Sequence, residues 1–202
     1  MGFELPIGGT ALGIKANKGI VLASEKRLAY GYTILSKSAK KIYPLNDRVA
    51  VAFAGLVGDM QALVRRLQSL IHLYEFENST LMSTRSVAKL LSVILFEAKF
   101  TPYFTQTIIG GKDNEGYHLY SLDPLGSLLE ENYVAVGSGA PIAIGIVESE
   151  YNPNVDTDAL VLLAKKALKQ TVSRDIESGD GIDLAIIDND RILESTFPVK
   201  AL

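Results

Sequence analysis

Apolar residues recur along this chain at two spacings, and the two alternate. TALGIKA (10–16) and GIVLASE (19–25) are strand-length apolar runs, and Asn17-Lys18-Gly19 between them reads as a hairpin turn. In RVAVAFAG (48–55) Val49, Val51 and Phe53 share one face and Ala50, Ala52 and Ala54 the other. Both faces are apolar, so this strand belongs to a sheet covered on both sides, and its alanine face predicts close approach of another layer. The spacing then changes. From Asp59, residues Met60, Leu63, Val64, Leu67, Leu70, Ile71 and Tyr74 follow the helical i, i+3, i+4, i+7 pattern. A second helix starts from an N-cap at Ser83 or Ser86, carries Val87, Leu90, Leu91, Ile94, Leu95 and Ala98, and is stopped before Pro102.

Strands resume in FTQTIIGG (104–111), GYHLYSLD (116–123) and NYVAVGSG (132–139). A long helix starts near Asp156 and runs through Leu160, Leu163, Ala167 and Leu168 to about Arg174. IDLAIID (182–188) and RILESTF (191–197) flank Asn189-Asp190 as a last hairpin. The order is strands, two helices, strands, a helix or two, strands. Few strand–helix–strand crossovers are visible, which argues against a doubly wound parallel sheet. Two stacked, mainly antiparallel sheets with helices on their outer faces, an α+β architecture, fit the order. No linker, repeat or low-complexity tract divides the chain, so 10–202 reads as a single domain after a short N-terminal extension or propeptide, 1–9.

Composition narrows the function. Of 202 residues 48% are hydrophobic, ample for a buried core and incompatible with disorder. A net charge of −3 recommends no basic face for nucleic acid, and no apolar run approaches the ~18–20 residues of a membrane span. Cysteine is absent, which excludes disulfides and thiolate metal sites and fits a reducing compartment; a cytoplasmic location is the expectation. His72 and His118 stand alone without a second ligand at metal spacing. VGSGAP lacks the lysine and the spacing of a phosphate loop, and DLAIIDND lacks the spacing of a calcium loop. Neither a metal nor a cofactor is expected. What remains is Thr10 after the small pair Gly8-Gly9, and a scatter of polar residues at strand ends and turns: Glu25, Lys41, Ser138, Asp175 and Ser178. Taken singly, each has an ordinary surface or turn explanation.

Five stretches together change that. TALGIKANKGIVLASEKR, SKSAKKIYPLNDRVAVAFAGLVGDMQALVRRL, HLYSLDPLG, YVAVGSGAPIAIGIVE and RDIESGDGIDLAIID resemble a proteasome β-subunit of the archaeal kind, over nearly the whole chain from Thr10 to Asp188. The resemblance implies a four-layer αββα sandwich, the N-terminal nucleophile hydrolase fold, in which a threonine freed by autolysis attacks peptide carbonyls. It implies that Lys41 is the activating lysine and Glu25 the acid that pairs with it, and that Ser138, Asp175 and Ser178 orient the threonine amine. It assigns the oxyanion-stabilising N–H to Gly55, the substrate-pairing backbone to Ala29 and a specificity-pocket wall to Phe53. Its partners would be α-subunits and other β-subunits in stacked heptameric rings, with unfolded polypeptide as substrate and a regulatory ATPase acting through the α-ring.

The register at the N-terminus departs from the family's pattern. Relatives with a working nucleophile place it one residue further from the glycine that Gly13 matches. Aligned without a gap, the nucleophile's place falls on Gly9, and Thr10 comes one position later. A one-residue slip in a strand turns the side chain to the other face, away from Lys41. The expectation is therefore a β-type subunit that is itself catalytically weak or silent and contributes structure. Two alternatives stay open: an active threonine peptidase maturing between Gly9 and Thr10, and a purely structural or α-like ring subunit.

Overall fold

The computed structural model describes residues 8–189 and 191–198. Strands β1 (Thr10–Ala16) and β2 (Gly19–Glu25) form the expected hairpin, Ala16 pairing Gly19. With β10 (Tyr133–Gly137), β11 (Ile182–Asp188) and β12 (Arg191–Phe197) they make a five-stranded antiparallel sheet in the order β10-β1-β2-β11-β12. Of the turn joining the last two strands, Asp190 lies outside the described residues, as do residues 1–7 of the N-terminal extension. The second sheet runs β5-β6-β7-β8-β9, from β5 (Ile42–Pro44), β6 (Val49–Gly55), β7 (Thr105–Asp113), β8 (Gly116–Leu122) and β9 (Leu128–Glu130). A separate small hairpin pairs β3 (Leu28–Tyr30) with β4 (Thr33–Ser36).

The period-two alternation of β6 decides the layering. Val49, Val51 and Phe53 enter a core with helices α1 (Val57–Asn78) and α2 (Thr84–Glu97), whereas Ala50, Ala52 and Ala54 enter the core between the two sheets. There Ile20, Leu22, Ile108 and Leu119 supply the bulk, and small residues opposite let the sheets approach. A Cβ on Gly13, for instance, would meet Leu119, Ile108 and Leu22 within about 3 Å. On the far side of the first sheet α3 (Ala140–Glu150) and α4 (Thr157–Val172) pack on Leu12, Ile14, Val21, Ala23 and Leu184. The result is the αββα sandwich.

Several boundaries differ from the expected ones. α1 begins at Val57 rather than Asp59, with Leu56 as an N-cap that offers no side-chain bond; the Asp59 carboxylate instead receives the Phe104 N–H at 2.8 Å. Helix α3 is not located by spacing, because APIAIGIVE is apolar all round and has no helical face to detect. Ser83 is the N-cap of α2, accepting from Ser86 N–H at 3.2 Å, and Asp156 caps α4 through Ala159 N–H at 2.9 Å.

Candidate functional site

The start of β1, the end of β2 and the residues entering β5 meet at one end of the sandwich. Glu25 is the last residue of β2 and Lys41 directly precedes β5; their side chains are 0% and 1% exposed and form an ion pair between Glu25 Oε1 and Lys41 Nζ. Such a pair survives burial only if its remaining polar atoms are also satisfied. Glu25 meets that condition: Oε1 also accepts from Thr10 N–H at 3.0 Å, and Oε2 accepts from Arg27 N–H at 2.6 Å and Gly179 N–H at 3.0 Å.

A second cluster adjoins the first. The loop after α4 brings Asp175 and Ser178, and the turn between β10 and α3 brings Ser138. Asp175 Oδ2 accepts from the hydroxyls of Ser138 at 2.7 Å and Ser178 at 2.5 Å. Ser138 in turn brackets Gly9: its Oγ accepts from Gly9 N–H at 3.1 Å, and its N–H donates to Gly9 O at 2.9 Å. Arg27 fastens the loop that carries Ser178, donating to Asp180 Oδ2 at 2.8 Å and to Ile176 O at 2.9 Å.

Thr10 is fully buried and faces away from the lysine. Its hydroxyl lies 2.8 Å from Ser178 Oγ and accepts from the Gly139 N–H at 3.1 Å, at the N-cap of α3. Gly9 faces the other way. A Cβ built on Gly9 would run into Lys41 Nζ and Glu25 Oε1, and the residue holds φ +89°, a left-handed conformation that favours glycine. Gly55, at φ +127°, ends β6 with its N–H donating to Gly8 O at 3.2 Å; a Cβ there would strike Phe104 O.

A cavity of about 180 Å³ opens beside Gly8, with Leu28, Ala29, Tyr30 and Leu35 from the small hairpin on one wall and Gly55, Leu56 and Val57 on another. Ala29 thus stands at the cavity. Phe53 is fully buried in the core against α1 and α2, edge-on to Tyr43, and is not among the residues lining the cavity. Thr10, Glu25, Lys41, Ser138, Asp175 and Ser178 all come together, as do Ala29 and Gly55 at the cavity's edge. The sequence marked Gly8 only as a small residue before Thr10, without the bond of its carbonyl to Gly55, and did not single out Arg27. The charge of Arg27 and its place after Glu25 were visible; its partners 149 and 153 positions away were not. Among the described residues no group of histidine or acidic side chains is arranged to hold a metal, and no helix is long and apolar enough to cross a membrane. His118 sits between Asp113 and Glu130 in the second sheet.

Comparison with known proteins follows the same lines. Residues 6–187 match the family described as proteasome subunit. The chain is similar to the proteasome subunit beta 2 of Pyrobaculum aerophilum, 46% identical over 202 residues, and to that of Pyrobaculum calidifontis, 45% identical over 202 residues, with all of each chain covered. It is also similar to the proteasome subunit beta 2 of Thermofilum pendens, 45% identical over 194 residues covering 96% of this chain and 95% of the relative.

Proposed function

The chain belongs to the proteasome subunit family as a β-type member, and from that membership we propose that it is a structural, proteolytically silent subunit of the core particle. It takes its place in rings with other subunits, in stacked heptameric order with α-subunits, and works beside a catalytic β-subunit. The particle degrades unfolded polypeptide by threonine chemistry inside a closed chamber in the cytoplasm, fed by an ATPase acting through the α-ring. The designation beta 2 carried by the three relatives fits a second β-type subunit.

One observation carries the silence: the catalytic surroundings address residues 8 and 9, not residue 10. Gly55 N–H holds the carbonyl of Gly8, Ser138 holds the amide of Gly9, and the Lys41–Glu25 pair stands where a side chain of residue 9 would be. The carbonyl of Gly9, which cleavage before Thr10 would have to attack, accepts from Ser138 instead of Gly55. The hydroxyl of Thr10 is engaged by Ser178 and Gly139. Activation of a threonine hydroxyl needs a base within hydrogen-bond reach, and Thr10 points its hydroxyl away from Lys41.

The test uses the particle reconstituted with its partner subunits. Thr10→Ala in this subunit is expected to leave peptide hydrolysis per assembled particle unchanged. Loss of one class of peptide cleavage, with rings intact, would instead assign the chain its own active nucleophile.

A further inference from the structure

His118 stands in β8 with a carboxylate on each side of its ring. Glu130 Oε1, from β9, lies 3.0 Å from Nδ1, and Asp113 Oδ1, from β7, lies 3.3 Å from Nε2. The His118 and Asp113 side chains are 17% and 15% exposed, whereas Glu130 is half exposed. A neutral imidazole has one N–H and one lone pair, so it can donate to only one of two such acids. A doubly protonated ring donates to both. Other charged and polar groups surround it: Lys15 of β1, 3.9 Å from Glu130 Oε1, and Tyr120 of β8, stacked on the imidazole. Glu115 from the β7–β8 turn and Arg85 from α2 act on the Tyr120 hydroxyl through their charges.

The two acids are not held alike. Asp113 Oδ1 accepts the Glu115 N–H and Oδ2 the Thr84 N–H, each at 3.0 Å, which fixes this carboxylate between the turn and the start of α2. Glu130 is free to turn to water. Nε2 is buried with no hydrogen bond of ordinary geometry, and the acid it faces is Asp113. A bare Nε2 would set a buried lone pair against a carboxylate that cannot move away, so the proton that stays longest is that one. Loss of the other proton lets Glu130 go. Its strand has little else to hold it: β9 is three residues at the edge of the sheet, and only Leu128 packs, in part, against the core with α1 and α2.

We propose that His118 is a proton-dependent clasp for β9, fastening the edge strand through Glu130 when both ring nitrogens are protonated and releasing it when one is bare. The stabilisation is present while the ring carries its second proton and is lost as rising pH removes it. The edge of the second sheet is thus closed in mildly acidic solution and loosened in alkaline solution, whether or not the subunit cuts peptide.

The test is amide exchange of the assembled particle at about pH 5.5 and 8.5, either side of the range in which histidine ordinarily titrates. Each rate is divided by that of the unfolded chain at the same pH. Protection of residues 128–131 is expected to fall at least about tenfold between the two, while that of residues 84–88 stays unchanged. In His118→Gln, whose side chain takes up no proton, protection of 128–131 is expected to be equal at both. A fall that persists in the variant, or no fall in the unaltered particle, overturns the clasp. A matching fall at residues 84–88 overturns it too, because the change would then be general loosening and not release of one strand. Should the variant fail to assemble, exchange of the imidazole C2 hydrogen in the unaltered particle decides. The sequence holds two histidines, His72 and His118, which separate peptides resolve. A His118 titration whose midpoint coincides with the loss of protection in β9 supports the clasp, and midpoints that differ overturn it.

Discussion

The Lys41 ammonium and the Glu25 carboxylate are almost wholly removed from water, and the proposed silent role would leave them structural work alone. Removing one member of a buried pair leaves an uncompensated charge, at a cost of about 3–5 kcal/mol. Lys41→Met is therefore expected to lower the stability of the assembled subunit by that order, read by thermal unfolding, without lowering peptide hydrolysis per intact particle. A fall in hydrolysis with stability unchanged would give Lys41 a catalytic role. Thr10→Val keeps the shape of the side chain but strands the Gly139 N–H, while the Ser178 hydroxyl keeps its bond to Asp175, so a loss of about 1–3 kcal/mol is expected, again without effect on hydrolysis. Gly9→Ala forces a Cβ into Lys41 Nζ at φ +89° and should destabilise by about 1–3 kcal/mol; a neutral substitution would mean that the backbone at residue 9 is not left-handed.

At the scale of elements, regular periodicity made most of the sandwich legible before any coordinates. The two faces of β6 were readable as one valine-phenylalanine and one alanine row, and they separate two of the three cores. Short elements were not readable. β3, β5 and β9 span three residues each and β4 four, too few for alternation to register, and α3 is apolar on every side. The site was legible as a set of residues only through resemblance, since the Glu25–Lys41 and Ser138–Asp175 pairs are joined to one another by contacts such as Gly9–Ser138 and Glu25–Gly179, 129 and 154 positions apart. What the register did reveal was the opposite facing of residues 9 and 10. The SLDPLG turn shows a local effect of the same kind. Burial would raise the pKa of Asp123, but the bonds it receives from Ser127, Leu125 and Gly126 together hold it below the ordinary value. A lowered folded-state pKa gives stability that is present above the unfolded value, about 3.9, and is lost as pH falls through the folded one. Asp123→Ala should thus loosen residues 123–127 to amide exchange at neutral pH, with the difference from the unaltered chain shrinking below about pH 4. A difference independent of pH would contradict the carboxylate's role.

For the molecule as a whole, the sandwich is complete in itself but its outside is not that of a solitary protein. Phe76, Phe100 and Tyr32 are 86%, 90% and 96% exposed, and Phe96, Leu35 and Tyr30 more than half exposed. Large apolar side chains grouped at the ends of α1 and α2 and on the small hairpin fit a chain that completes itself against neighbours in a ring. Phe76→Asp with Phe100→Asp should leave the fold intact by circular dichroism yet reduce incorporation into particles; undiminished incorporation would remove these residues from the interface. The proposed silence, however, turns on the two peptide bonds that flank Gly9. The intact mass of this subunit, taken from assembled and proteolytically active particles, tests it most directly. The account predicts a chain in which the Gly8–Gly9 and Gly9–Thr10 bonds are both unbroken, and a chain beginning at Thr10 would contradict it.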